Sequence, residues 1–186
     1  MSKRQYCPKC LFPQSVCLCD ALEPVDNKTN IVVLQHPSEL KESKNTVRLM
    51  ALVLRHCEVF VGETETDFAH IRQRCETQKI RSAVLYPNEK SVELESLNTE
   101  TPVINHLILL DGTWKKTYKL WQLNPWLHNL PSWHFTKPSA SIYQRKTNFQ
   151  HSLSSLEACA YALNLIEHKN TDSLLQLLKT RQDRGF

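Results

Sequence analysis

Short β-branched runs alternate with segments of helical spacing along most of this chain, and that alternation restricts the fold more than any other feature. Asn30-Ile31-Val32-Val33-Leu34-Gln35 reads as a buried strand stopped at His36-Pro37. Thr46 then stands where it can cap a helix reaching about His56, with Val47, Met50 and Leu54 on one face. Cys57 to Val61 gives a second strand. Asp67 to Gln78 gives a second helix on Phe68, Ile71 and Cys75, and Arg81 to Tyr86 a third strand ended by Pro87-Asn88. This order predicts an α/β fold, a mostly parallel sheet flanked by helices, because parallel neighbours need a helix-length crossover. The most apolar run, His106-Leu107-Ile108-Leu109-Leu110, reads as a central strand and ends at Asp111-Gly112-Thr113-Trp114. A helix from Thr113 to Leu123, a strand from Ser132 to Thr136 and a loop from Lys137 to His151 follow. Beyond them, Leu156, Ala160, Leu163 and Ile166 mark a helix starting at Ser154 or Ser155, and another runs from Asp172 to about Arg181. Val92 to Leu97 is a short edge strand or irregular chain.

The 186 residues suit one domain with at most a small appendage, and 41% hydrophobic residues are enough for a core. With no apolar run of eighteen residues, membrane spanning is not expected. The first residues, Met1 to Tyr6, do not lead into an apolar signal region, so the expected location is cytoplasmic.

Four of the seven cysteines are compressed into Cys7-x2-Cys10-x6-Cys17-x-Cys19. Two close thiol pairs can converge on one tetrahedral ion, and zinc is the best match. An iron–sulfur cluster or a pair of disulfides would use the same residues, the latter only in an oxidising compartment. With no histidine and no open position in the set, the ion would be structural. We therefore expect a small four-cysteine zinc knuckle over 1–24 and a catalytic domain over 25–186.

Charge is regional. From Gly112 to Leu156 there is no acidic residue, whereas Lys115, Lys116, Lys119, Lys137, Arg145 and Lys146 are all basic. The same window holds all four tryptophans, Trp114, Trp121, Trp126 and Trp133, with Tyr118, Phe135, Tyr143 and Phe149. Basic residues interleaved with aromatics suit single-stranded or looped RNA; the plain alternative is that the aromatics are core and the lysines solvated.

In an open α/β sheet, ligands gather where strands end and helices begin. The chain turns at Tyr86-Pro87, at Asp111-Gly112-Thr113-Trp114 and in the loop Ser139 to Ser155 all qualify. Asp111 at the end of a buried strand is either a helix cap or a site residue. Ser154 and Glu157 have capping-box spacing. His36, His106 and His151 read as polar fillers. Walker, G-x-G-x-x-G, G-x-S-x-G and His-Glu-x-x-His motifs are all missing, which removes the residues of nucleotide hydrolysis, dinucleotide redox and zinc hydrolase chemistry.

Leu109-Leu110-Asp111-Gly112-Thr113-Trp114 resembles the D-x-T-W signature of the DTW-domain family. The four N-terminal cysteines, Leu85-Tyr86-Pro87, Tyr143-x-Arg145 and Leu153-Ser154-Ser155-Leu156-Glu157-Ala158 stand in that family's order. The resemblance implies a SPOUT-like fold with a C-terminal trefoil knot. It also implies a tRNA-uridine aminocarboxypropyltransferase, which moves the 3-amino-3-carboxypropyl group of S-adenosylmethionine, its co-substrate, onto N3 of a uridine. Within it, Asp111 is the expected general base. The expected cofactor contacts are Leu85, Tyr86, Pro87, Leu110, Gly112, Thr113, Trp114, Tyr143, Arg145 and Ser154, and the expected tRNA contacts are Lys115, Lys116, Lys119 and Lys146. SPOUT-like proteins often dimerise, which leaves a homodimer open. The residues also admit a SPOUT-type RNA methyltransferase, or a noncatalytic RNA-binding module built on the zinc knuckle.

Overall fold

The computed structural model describes residues 5–77, 81–97, 103–143 and 153–185. In chain order the main elements are β1 (Asn30–Gln35), α1 (Val47–Val53), β2 (Cys57–Val61), α2 (Ala69–Glu76), β3 (Ser82–Leu85), β4 (Val92–Glu93), β5 (His106–Asp111), α3 (Trp114–Leu123), β6 (Ser132–His134), α4 (Ser155–Glu167) and α5 (Asp172–Asp183). The six strands form one sheet in the order β2-β1-β5-β3-β6-β4, and every strand pairing in it is parallel. The expected α/β architecture is therefore present. The segment 144–152, on which a knot would turn, lies outside the described residues.

Strand residues alternate between two buried faces, which is why the strands read as continuous apolar runs. Ile31, Val33, Ala83, Leu107 and Leu109 face a core shared with α1, α4 and α5. Val32, Leu34, Val84 and Ile108 face the opposite core, closed by Phe68 and Ile71 near and on α2 and by Leu120 and Trp121 of α3. β4 has only two residues, too short to show a period, and it pairs with the end of β6.

Local chemistry sets the helix starts. Ser154 and Glu157 form a complete capping box on α4: the Ser154 Oγ accepts from Glu157 N, while Glu157 Oε2 accepts from Ser154 N at 2.8 Å. At α1, Thr46 holds the N-cap position but makes no side-chain cap. Asn45 Oδ1 caps instead, accepting from Val47 N at 2.9 Å, and Thr46 Oγ1 accepts from Leu156 N across to α4.

The cysteine segment packs into the same core as the helices. Cys10, Phe12 and Leu18 are fully buried beside α1, α4 and α5. Two guanidinium groups lie over the Phe12 ring, with Arg48 4.5 Å and Arg181 5.0 Å from its centroid. Arg48 also donates to Leu11 O, and Arg184 forks onto both oxygens of Asp20 at 2.8 and 2.6 Å. The N-terminal segment is thus a plug over α1 and α5. Phe12→Ala should cost about 3–5 kcal/mol in urea unfolding of the whole chain, the range for an emptied core phenylalanine. A loss confined to a few tenths would mean that the segment is an independent appendage.

Candidate functional site

Because all six strands are parallel, their carboxyl ends share one edge. From β1 the chain moves outward to β2, whereas from β5 it moves the other way, past β3 to β6. The loops leaving β1 and β5 therefore diverge and open a crevice between them, the switch point at which α/β sheets bind ligands. A cavity of roughly 1180 Å³ opens along this edge, walled by residues of the β3, β5 and β6 ends, the loop before α1 and the start of α4. That exceeds the usual range for one small ligand, about 300–1,000 Å³.

Asp111 is buried in this cavity's wall. It faces Gln35 in the β1–β5 register. Its Oδ2 accepts from Gln35 Nε2 at 2.9 Å and from Asn45 Nδ2 at 2.8 Å, and its Oδ1 accepts from Ser155 Oγ at 2.5 Å. A carboxylate offers about four lone-pair sites, so one remains, on Oδ1. Asp111 is not a cap: the N-cap of α3 is Thr113, which makes no side-chain cap hydrogen bond. Of the two roles its position allowed, the cap falls away. Gly112 is required by close approach, since a Cβ there would sit 2.9 Å from Lys116 Cβ.

Nine of the ten expected cofactor contacts line the cavity: Leu85, Tyr86, Pro87, Leu110, Gly112, Thr113, Trp114, Tyr143 and Ser154. Arg145, the tenth, and Lys146 lie outside the described residues, as does His151. Of the three lysines on α3, Lys116 is paired with Glu39 at 2.8 Å and Lys119 with Glu63 at 2.7 Å, while Lys115 is exposed and makes no ion pair among the described residues. Glu63 also meets His36 Nε2 at 2.6 Å. The tryptophans divide. Trp121, Trp126 and Trp133 are core, with Tyr86 stacked on Trp121 at 4.8 Å, and only Trp114 is largely exposed.

Sequence reasoning missed the residues that hold the wall in place. Gln35 and Asn45 fix Asp111, and a polar residue closing an otherwise apolar strand was the available signal for Gln35. Glu157 does more than cap: it also accepts from Ser141 Oγ, from Ile142 N at 2.7 Å and from Tyr143 N at 3.2 Å, which ties the 141–143 loop to α4. Tyr143 in turn donates its hydroxyl to Lys44 O at 2.6 Å. On the other side, Glu95 Oε1 accepts from Thr136 N and Lys137 N, each at 3.0 Å. Burial pushes the Glu95 carboxyl up, but the backbone donors, Lys137 first, outweigh it and hold the group below its ordinary range.

The sulfurs of Cys7, Cys10, Cys17 and Cys19 all lie within 4.8 Å of one another, with Cys7–Cys19 at 3.5 Å and Cys10–Cys17 at 3.7 Å. A tetrahedral zinc with bonds of about 2.3 Å needs sulfurs about 3.8 Å apart, so the donor set fits a structural ion. The backbone N–H groups of Cys10 and Lys9 bring the Cys7 thiol down to about 6, while its hydrogen bond to Cys7 pushes the Cys19 thiol up to about 12, so without an ion one thiolate is shared within the set. The purified protein should carry one zinc per chain by elemental analysis. Stripping it with a strong chelator should lower Tm by about 5 °C or more, since this segment plugs the core. Metal-free protein with an unchanged melt in chelator would contradict the assignment.

A wholly parallel α/β sheet with a switch-point cavity and a four-cysteine knuckle defines the structural class. The DTW domain model matches residues 4–184, and the chain belongs to the DTW-domain family. Curated relatives include proteins named tRNA-uridine aminocarboxypropyltransferase 2 from three species. The Drosophila melanogaster protein is 32% identical over 177 residues, covering 90% of this chain and 69% of the relative. Those from Mus musculus and Macaca fascicularis are each 31% identical over 177 residues, covering 90% of this chain and 58% of the relative. The chain thus spans between 58% and 69% of the length of these relatives. No solved structure matches it significantly.

Proposed function

We propose that this protein transfers the 3-amino-3-carboxypropyl group of S-adenosylmethionine to N3 of a uridine in tRNA. The observation that carries this reading is convergence. Segments far apart in the sequence, Leu85–Pro87, Leu110–Trp114, Tyr143 and Ser154, meet around one cavity large enough for a nucleoside donor and a base together. The relatives' names, tRNA-uridine aminocarboxypropyltransferase 2, support the aminocarboxypropyl group and a tRNA uridine as its acceptor.

In this reading the main chain of Leu85, Leu110, Gly112 and Thr113 holds the adenosine, and Tyr86, Pro87 and Trp114 give the pocket its shape. S-adenosylmethionine, when bound, supplies a carbon made electrophilic by the adjacent sulfonium. Uridine N3 is a poor nucleophile while protonated, so a base must take its proton as the new bond forms. Asp111 does this through the free lone pair on Oδ1, with Gln35, Asn45 and Ser155 holding its carboxylate still. N3 bonds to the γ-carbon, the carbon–sulfur bond breaks with its electrons going to sulfur, and 5′-methylthioadenosine leaves. Which of the three sulfonium carbons reacts is a matter of which one the pocket presents to N3. The proposal includes a cytoplasmic location. No described helix is long and apolar enough to cross a membrane.

Nucleoside mass spectrometry of unmodified tRNA incubated with protein and S-adenosylmethionine should show the aminocarboxypropyl adduct. A methyl adduct would identify a methyltransferase instead, and no adduct a binding module. Asp111→Asn keeps an oxygen for Gln35 and Asn45 and an amide for Ser155, so it should fold and bind the donor while turnover falls about 10²–10⁴-fold. Wild-type turnover in that variant would remove Asp111 from the chemistry.

A further inference from the structure

Two of the largest side chains in the protein stand in solvent one helical turn apart. Trp114 is 55% and Tyr118 59% exposed, although α3 buries Thr117, Leu120 and Trp121 against the sheet. Lys115 lies between them in sequence, exposed and without an ion-pair partner among the described residues. The helix carries no acidic residue. This patch is continuous with the cavity, because Trp114 forms part of its wall. Tyr118 also lies within electrostatic reach of Tyr86, another wall residue, whose phenol is pushed up first by burial and then by Tyr118. Tyr86 is itself stacked on the buried Trp121, ring centroids 4.8 Å apart.

We infer that Trp114, Lys115 and Tyr118 form a stacking surface for unpaired nucleotides that flank the target uridine. The inference rests on the proposed RNA substrate and extends it from the reacting base to its neighbours. Exposed rings that are not needed for packing suit a partner with flat faces, and an acid-free helix with an unpaired lysine suits one with a phosphate backbone. A base held in the cavity must be out of its stack, which leaves its neighbours unstacked and able to lie on the rings at the mouth.

The test is binding of a short single-stranded RNA containing uridine, followed by tryptophan fluorescence. Trp121, Trp126 and Trp133 are buried, so quenching on binding reports mainly Trp114. Wild-type protein should bind the single strand with quenching and bind a duplex of equal length more weakly. Tyr118→Leu should weaken single-strand binding roughly 5- to 140-fold, the range that one base–aromatic stack supplies. Tyr118→Phe should retain the affinity, and S-adenosylmethionine binding should be the same in all three proteins. Equal affinity of Tyr118→Leu and wild type, equal binding of duplex, or self-association that Tyr118→Leu abolishes would each overturn the inference. The readout is independent of transfer. Stacking without any transfer removes the proposed reaction alone, and transfer with an RNA KM unmoved by Tyr118→Leu removes the stacking surface alone.

Discussion

The arrangement of this site depends on one buried carboxylate at the join of two parallel strands. Asp111 ends β5 directly opposite Gln35, the last residue of β1, at the place where the loops leaving those strands part. A buried charge without partners costs several kcal/mol, and hydrogen bonds to it recover about 1.5–3 kcal/mol each. Its three donors come from β1, from the loop before α1 and from the first residue of α4, at sequence separations of 76, 66 and 44 residues. The carboxylate therefore locks three segments of chain around the crevice, and the same lock fixes its own orientation toward the cavity. In the proposed reaction, stability and chemistry draw on one group.

Around that centre, two further acidic residues order the cavity's walls by collecting backbone donors. Glu157 joins the 141–143 loop to the start of α4, and Glu95 joins the chain beyond β6 to the turn after β4. Both work by the same physics, since loop N–H groups have no ladder partners and a carboxylate can satisfy several at once. The cysteine knuckle acts at a distance, on the far side of α1 and α5. Its sulfurs are available to a metal, and its buried Phe12 and Leu18 complete the core on which those helices rest.

Much of the fold was legible because both faces of the sheet are covered. β1, β3 and β5 announce themselves as unbroken apolar runs, and α4 carries its capping box in plain view. What escaped were features set by distant neighbours or by length. Val92–Glu93 is too short for any period. Asp111 looks like a cap when judged with Gly112 and Thr113 beside it, and its real partners are remote. Helical phase places Trp114 and Trp121 on nearly the same face of α3, yet one is exposed and the other lies under Tyr86, because only the latter sits over the sheet. The lysines show the same limit. Their basic run is visible in sequence, but Glu39 and Glu63, which neutralise two of them, arrive from the other side of the crevice.

The central claim is that donor and nucleobase meet where the β1 and β5 loops diverge. A crystal structure with 5′-methylthioadenosine bound tests it most directly. The account predicts the nucleoside against Leu85–Pro87 and Gly112–Thr113, with its sulfur facing the Asp111 side of the cavity. Electron density for it at any other surface, with this crevice left to solvent, would contradict the account.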